Sequence, residues 1–274
     1  MDFREIGRLV SEDRLSLEYL WKKRGNKDCP SCSGSEFYYH QRWRVRCKEC
    51  KKDYWPLQGT RFALLRITPS QWLSLIKLFE LSISARKASQ DVHISYKTAL
   101  RAYDVLRRAI VEHLAENDEV LKGELEADEA YFGGRRKGNR GRGAGGKTIV
   151  FGILERGGKV SVSIVQDVSA RSLMTETVKR VRRGSIVYTD KWRGYDSLMF
   201  CGYKHLNIDH RYKFKQGKVY INGIEGFWAF AKERLIKHHG ISRQKFLYYI
   251  KEMEWRYNNR GKDLFDDLVD LMLH

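Results

Sequence analysis

Glu124-Leu-Glu-Ala-Asp128-Glu-Ala-Tyr-Phe132 is the stretch on which the fold turns. Upstream, from Thr60, apolar residues recur at helical spacing; at Glu124 that period ends. With the helical period gone, Glu124–Phe132 reads as a strand, closed by Gly133-Gly134. Residues 148–154 and 160–165 follow as two more strands, with Glu155-Arg-Gly-Gly-Lys159 between them as a hairpin turn. Residues 170–181 then read as a helix, 185–189 as a fourth strand ending at Asp190, 193–200 as a short helix and 203–208 as a fifth strand. Helices are expected over 222–236 and 242–258, and 263–274 reads as a small acidic amphipathic helix. Three strands followed by alternating helices and strands predict an α/β domain over residues 119–260, a mixed sheet with helices on its faces, and a C-terminal amphipathic tail over 261–274.

Outward towards the N-terminus, residues 67–118 form a helical module. Thr68-Pro69-Ser70 opens a helix over 71–81, Ser84 caps one over 85–92, and Ser95 caps a longer one over 96–114. A tight turn at His93-Ile94 before a helix bearing Lys97, Arg101 and Arg107 fits a helix-turn-helix. The bland reading of the same pattern is a plain helical bundle.

Residues 1–66 hold four of the five cysteines, as Cys29-Pro-Ser-Cys32 and Cys47-Lys-Glu-Cys50. Two such knuckles fit a closed four-thiolate zinc site of structural rather than catalytic type. A pair of disulfides is the alternative, and the cytoplasmic location expected below argues against it. Between the knuckles, Arg42, Arg44 and Arg46 alternate in an aromatic stretch that predicts a hairpin with one basic face. His40 is expected at the surface, since four thiolates complete the shell. Cys201 stands alone, with a buried apolar role as the default.

The formal charge is +18 on 274 residues, with residues 22–66 alone holding twelve Lys and Arg against four Asp and Glu. Such an excess points to a polyanion, because Lys and Arg release counterions from phosphates. A hydrophobic content of 42% excludes a disordered chain, no apolar stretch is long enough to span a bilayer, and the N-terminus has no signal core. A cytoplasmic, nucleoid-associated protein is expected. The glycine-rich run 133–147, with Arg135, Arg136, Lys137, Arg140 and Arg142, favours phosphates or is simply a hairpin tip.

Three acids sit where phosphodiester chemistry needs them: Asp128 midway along the first strand of the α/β domain, Asp190 at the end of the fourth, and Glu225 in the first turn of the helix after Asn222. Two divalent ions roughly 4 Å apart activate the attacking oxygen and stabilise the leaving one, and hard ions take carboxylate ligands. Lys232, seven residues after Glu225, shares its helical face and is placed to hold a phosphate. Singly, such acids are more often turn residues, helix caps or dipole partners.

Taken together, ADEAYFGG around Asp128, YTDKWRGY around Asp190, NGIEGFWAFAKERL from Asn222 to Leu235 and WRYNNR from Trp255 to Arg260, with CPSC, CKEC, SARKAS and ISYKTALR upstream, resemble the ISXO2-like (IS1595-type) transposases of bacterial insertion sequences. The resemblance spans roughly residues 20–260. It implies an RNase H-like fold behind a zinc ribbon and helix-turn-helix. It also implies a DDE-type triad at Asp128, Asp190 and Glu225 with Lys232 as the accompanying basic residue, and magnesium or manganese as cofactor. Some members carry Asn at the third position, so Asn222, one turn before Glu225, stays an alternative. The implied activity is DNA cleavage and strand transfer on double-stranded DNA, element ends and target, by a homodimer or larger assembly. The competing expectations are a non-catalytic DNA-binding regulator and an RNase H-type nuclease.

Overall fold

The computed structural model describes residues 1–25, 28–40, 43–133, 147–190, 202–208, 220–238 and 240–274. Arg42, Arg135, Arg136, Lys137, Arg140, Arg142, Cys201 and the helix expected over 193–200 lie outside the described residues. The chain divides into two compact units, Met1–His113 with Gly261–His274, and Leu114–Arg260.

The first unit opens with two helices that the sequence reading did not mark, α1 (Phe3–Val10) and α2 (Asp13–Arg24). A capping box starts α1: Asp2 Oδ1 accepts from the Arg4 and Glu5 N–H groups, and Glu5 Oε2 accepts from the Asp2 N–H at 2.9 Å. A three-stranded antiparallel ribbon follows, β1 (Phe37–His40), β2 (Arg44–Cys47) and β3 (Asp53–Tyr54), in that order. Then come α3 (Pro69–Glu80), α4 (Ala85–Asp91) and α5 (Tyr96–Glu116). Thr68 and Gln71 form a second capping box at α3, with Pro69 at the first helical position, where its missing N–H costs nothing. The turn between α4 and α5 falls at His93, in the left-handed region at φ 54°.

The C-terminal helix α9 (Leu264–Leu273) packs into this unit rather than trailing from it. Its Phe265, Leu268, Val269 and Met272 are fully buried, as are Leu73, Leu75 and Ile76 of α3. Polar ties add to the packing: Tyr19 Oη donates to Asp266 at 2.6 Å, and Lys23 pairs with Asp270 at 2.7 Å.

The second unit is a five-stranded mixed sheet of β4 (Glu124–Phe132), β5 (Thr148–Glu155), β6 (Val160–Val165), β7 (Ile186–Asp190) and β8 (Lys204–Ile208), in the order β6-β5-β4-β7-β8. The first three strands are antiparallel neighbours joined through a hairpin, whereas β7 and β8 run parallel to β4. A parallel neighbour needs a crossover, and α6 (Ala170–Arg180) lies in the connection from β6 to β7. Leu125 and Ala127 of β4 pack with Leu173 of α6 on one face. Ala130 and Phe132 pack with α7 (Asn222–Leu235) and α8 (Arg243–Asn258) on the other. Each fully buried Leu, Ile, Val or Phe there contributes about 1.5–3 kcal/mol. This is the expected RNase H-like α/β fold, a mixed sheet flanked by helices.

Candidate active site and metal centre

Because β4 alternates, Glu126, Asp128, Ala130 and Phe132 face α7 and α8. Asp128 lies opposite Gly152 of β5. On the other side of β4 the parallel register pairs Glu126 with Tyr188. Carried two residues further, that register sets Asp190, the last residue of β7, beside Asp128. Glu225 comes from the first turn of α7.

Two hydrogen bonds hold α7 against β4. The Ile224 N–H donates to Glu126 Oε2 at 3.0 Å, and Trp228 Nε1 donates to Asp128 Oδ2 at 3.1 Å. Two glycines make this approach feasible. A Cβ on Gly152 would meet Cζ2 of Trp228 at 2.6 Å, and one on Gly223 would meet Glu126 Oε2 at 2.8 Å. Glu225 lies between the two contacts along the helix.

The electrostatics report the convergence of the acids. Burial first, then Glu129, and further Asp190 and Glu225 push the Asp128 carboxyl up to about 7, against the Glu129 N–H that pulls it down. Three acids from β4, β7 and α7 therefore share one electrostatic site, and a divalent cation would relieve their repulsion. They are not drawn into a tight cluster: among the described residues, only the four cysteines bring ligating atoms of three or more side chains close enough to enclose an ion. Asn222, Glu225 and Lys232 are all exposed on α7.

Beside the acids lies a group that sequence reasoning took for a turn residue. Arg156 follows β5, and its side chain is 14% exposed. Its Nε donates to Glu126 Oε1 at 3.0 Å, its Nη1 to Glu124 Oε2 at 2.7 Å and its Nη2 to the Tyr220 carbonyl at 2.7 Å. The guanidinium lies 3.7 Å from the ring centre of Tyr188 and 3.9 Å from that of Tyr220. Glu126 itself is 1% exposed. The only local hint was a second acid two residues before Asp128, on the same face of the strand.

In the first unit, Cys29, Cys32, Cys47 and Cys50 are free thiols whose sulfurs all lie within 4.8 Å of one another. The Cys29–Cys50 and Cys32–Cys47 Sγ distances are each 3.6 Å. A tetrahedral site with metal–sulfur bonds of about 2.3 Å needs edges of about 3.8 Å, so the cluster fits a four-coordinate metal. The two knuckles repeat one geometry. The Ser33 N–H donates to the Cys29 carbonyl at 2.9 Å and the Lys51 N–H to the Cys47 carbonyl at 3.1 Å, with Ser33 and Lys51 both left-handed. The Ser31 backbone N–H, first among its neighbours, draws the Cys29 thiol down to about 7. His40 is exposed and outside the cluster.

Arg44 and Arg46 flank the buried Val45 and share one face of the ribbon, where Arg46 pairs with Asp53 through Nη2 at 2.8 Å. Lys97 and Arg101 are exposed on α5. Arg107 departs from the expected basic face: it is 2% exposed, packed near the Phe79 and Tyr103 rings. Four residues after Tyr103 and three before Ile110, it falls on the buried stripe with Tyr103, Leu106 and Ile110. Among the described residues no helix is long and apolar enough to cross a membrane.

Residues 120–258 match the ISXO2-like transposase domain family. A Haemophilus influenzae protein described as an uncharacterized transposase-like protein is 42% identical over 101 residues, 37% of this chain and 82% of the relative. An uncharacterized protein in the transposable element ISH50 of Halobacterium salinarum is 26% identical across 98% of this chain and 99% of its own. Among solved structures, the catalytic core domain of BIV integrase is similar with a TM-score of 0.36 at 11% identity, covering 52% of this chain and 86% of its own. The Mos1 strand transfer complex is similar with a TM-score of 0.30 at 10% identity, covering 74% of each chain.

Proposed function

The chain belongs to the ISXO2-like transposase family, and on that premise we propose that it binds the ends of its mobile element and cuts and joins DNA at Asp128, Asp190 and Glu225. The observation that carries this reading is geometric: the parallel register of β4 and β7 sets Asp190 beside Asp128, and the Ile224 and Trp228 hydrogen bonds hold the first turn of α7, with Glu225, against β4. Magnesium or manganese bound there supplies charge that activates the attacking oxygen and stabilises the leaving one. The three carboxylates would hold that charge in place, and a bound cation would offset the repulsion that Glu129, Asp190 and Glu225 exert on the Asp128 carboxylate. Glu225 is taken as the third ligand in preference to Asn222, because a carboxylate binds a hard divalent cation more tightly than an amide does. Lys232, two turns along the same face of α7, holds a phosphate of the scissile strand.

Hydrolysis at the element's end leaves a 3′-hydroxyl and a 5′-phosphate; that hydroxyl then attacks a target phosphodiester, forming a new P–O bond as the target strand's 3′-oxygen leaves. Both reactions act on double-stranded DNA. Two ends must meet, so a homodimer or larger assembly is the working form. The four cysteines hold a structural zinc that folds the ribbon. Arg44, Arg46, Lys97 and Arg101 contact DNA phosphates and bases. Arg42, Arg135, Arg136, Lys137, Arg140 and Arg142 are assigned the same role from sequence alone.

Asp190→Ala tests the reading. The variant is expected to bind labelled end DNA as the parent does and to lose magnesium-dependent nicking and joining by a factor of at least 10³, the scale on which essential catalytic groups act. Nicking that survives the substitution would overturn the assignment. Nicking without joining to a plasmid would make the protein a nuclease instead.

A further inference from the structure

Asp128 and Asp190 stand on strands that also meet Arg156, and the segment leading into the helix of Glu225 meets it too. Glu126 precedes Asp128 by two residues on β4 and accepts from Arg156 Nε. Tyr188 precedes Asp190 by two on β7, and its ring stacks on the guanidinium. Tyr220 lies two residues before α7, and its carbonyl accepts from Nη2 while its ring covers the opposite side. The Tyr188 hydroxyl also donates to Glu124 Oε2 at 3.1 Å, closing the network on β4. Glu126 uses its second oxygen to accept the Ile224 N–H, next to Glu225.

We infer that Arg156 and Glu126 are positioning residues for the acidic site: one planar cation fixes β4, β7 and the start of α7 relative to one another, and so sets how far apart Asp128, Asp190 and Glu225 stand. The inference rests on the reading of those acids as metal ligands. An ion pair this buried adds little stability over well-packed apolar side chains of the same volume. What the guanidinium adds is direction, since its donors leave in fixed, coplanar directions. Gly223 fits the same design: only a residue without Cβ lets the Glu126 carboxylate close on the helix start.

The test compares two double variants of the full-length, zinc-loaded protein. Glu126→Leu with Arg156→Met replaces the pair by apolar groups. Glu126→Gln with Arg156→Met also removes both charges but keeps an oxygen for the Ile224 N–H. The probe is Mn2+ alone, its free-ion EPR signal giving the affinity, with the magnesium dependence of end-DNA nicking as a second readout. The apolar pair is expected to fold, by circular dichroism and melting, and to bind Mn2+ about 10–100-fold more weakly, the range seen when partners behind metal ligands are lost. The Gln variant restores only the tie to the Ile224 N–H and is expected to recover a minor part of that loss; full recovery without the guanidinium would overturn the role of Arg156. A folded apolar pair with Mn2+ affinity within twofold of the parent would overturn the inference. Should that pair not fold, Arg156→Lys replaces it: the charge stays, the fork to Tyr220 goes, and an unchanged Mn2+ affinity overturns the inference equally. Asp190→Ala runs alongside. If it leaves Mn2+ binding and nicking intact, the acid assignment itself fails. If it abolishes both while the apolar pair behaves as the parent, only the positioning role fails.

Discussion

A methyl group on residue 152 would sit 2.6 Å from Cζ2 and 2.8 Å from Cη2 of Trp228. The indole has little room to retreat, because Trp228 is 4% exposed and packs edge-on to Phe132. Gly152→Ala is therefore expected to cost about 1–3 kcal/mol by overpacking and to pull Trp228 Nε1 away from Asp128. A phenyl ring does not reach as far, so in a Trp228→Phe background the same methyl should cost less. The double-mutant cycle, read by chemical denaturation, should show a coupling above about 0.5 kcal/mol; additive costs would sink the argument. At this scale the sequence was informative where charge is the signal. Asp128 in mid-strand, Asp190 at a strand end and Glu225 in a first helical turn are noticeable in sequence as acids, and Asp190 and Glu225 are both near enough to push the Asp128 carboxyl up. Arg156 was invisible because a residue in Glu155-Arg-Gly-Gly-Lys159 reads as a solvated turn, and its four partners come from β4, β7 and the entry to α7. Gly152 and Gly223 were equally silent, since a glycine chosen for close approach looks in sequence like one chosen for a turn.

The described elements of the α/β unit were legible almost to the residue, because strand runs bounded by glycine and helices opened by Ser or Asn carry local signals. The first unit was less so. In α2 only Ser16, Leu17 and Leu20 are buried among charged neighbours, too sparse a stripe to stand out. The capping box at Asp2 and Glu5 was the available signal for α1. At the other end, residues 264, 265, 268, 269 and 272 make an apolar face on α9. That spacing says the helix must be covered but not by what, since partner choice depends on contacts some 200 residues away in sequence, such as Arg61 Nη1 with the Leu271 carbonyl. The structure supplies α3 and α2 as that cover, so α9 should behave as part of the N-terminal core. Phe265→Ala, at a fully buried position, is expected to cost about 3–5 kcal/mol. Hydrogen exchange should quicken in α3 and α9 and stay unchanged in β4 and β5. Equal loss in both units would contradict the division, and no loss in α3 would contradict the packing.

Across the molecule, a net charge of +18 is shared between two units that handle different chemistry. One holds soft sulfur ligands in a closed cluster, the other hard carboxylates in a looser site, and the two sets select different metals. A ribbon with strands of four, four and two residues buries little apolar surface, so a metal held by the four cysteines would carry much of its stability. The five-stranded sheet has a core of its own on both faces and needs no metal to fold. The two dependences should therefore separate. The purified protein is expected to hold about one zinc per chain by atomic absorption, with the four cysteines as ligands. Cys32→Ser should release that zinc, strip hydrogen-exchange protection from β1 and β2, and weaken end-DNA binding by at least about tenfold, since Arg44 and Arg46 lose the sheet that aligns them. The same variant should keep protection in β4 and β5 and keep its Mn2+ affinity, because the acids are built wholly on the second unit. Omitting magnesium should do the reverse, leaving end-DNA binding intact and stopping cleavage. A zinc-free variant that bound ends as tightly as the parent would remove the ribbon from DNA recognition; one that also lost Mn2+ affinity would show that the two units do not fold independently.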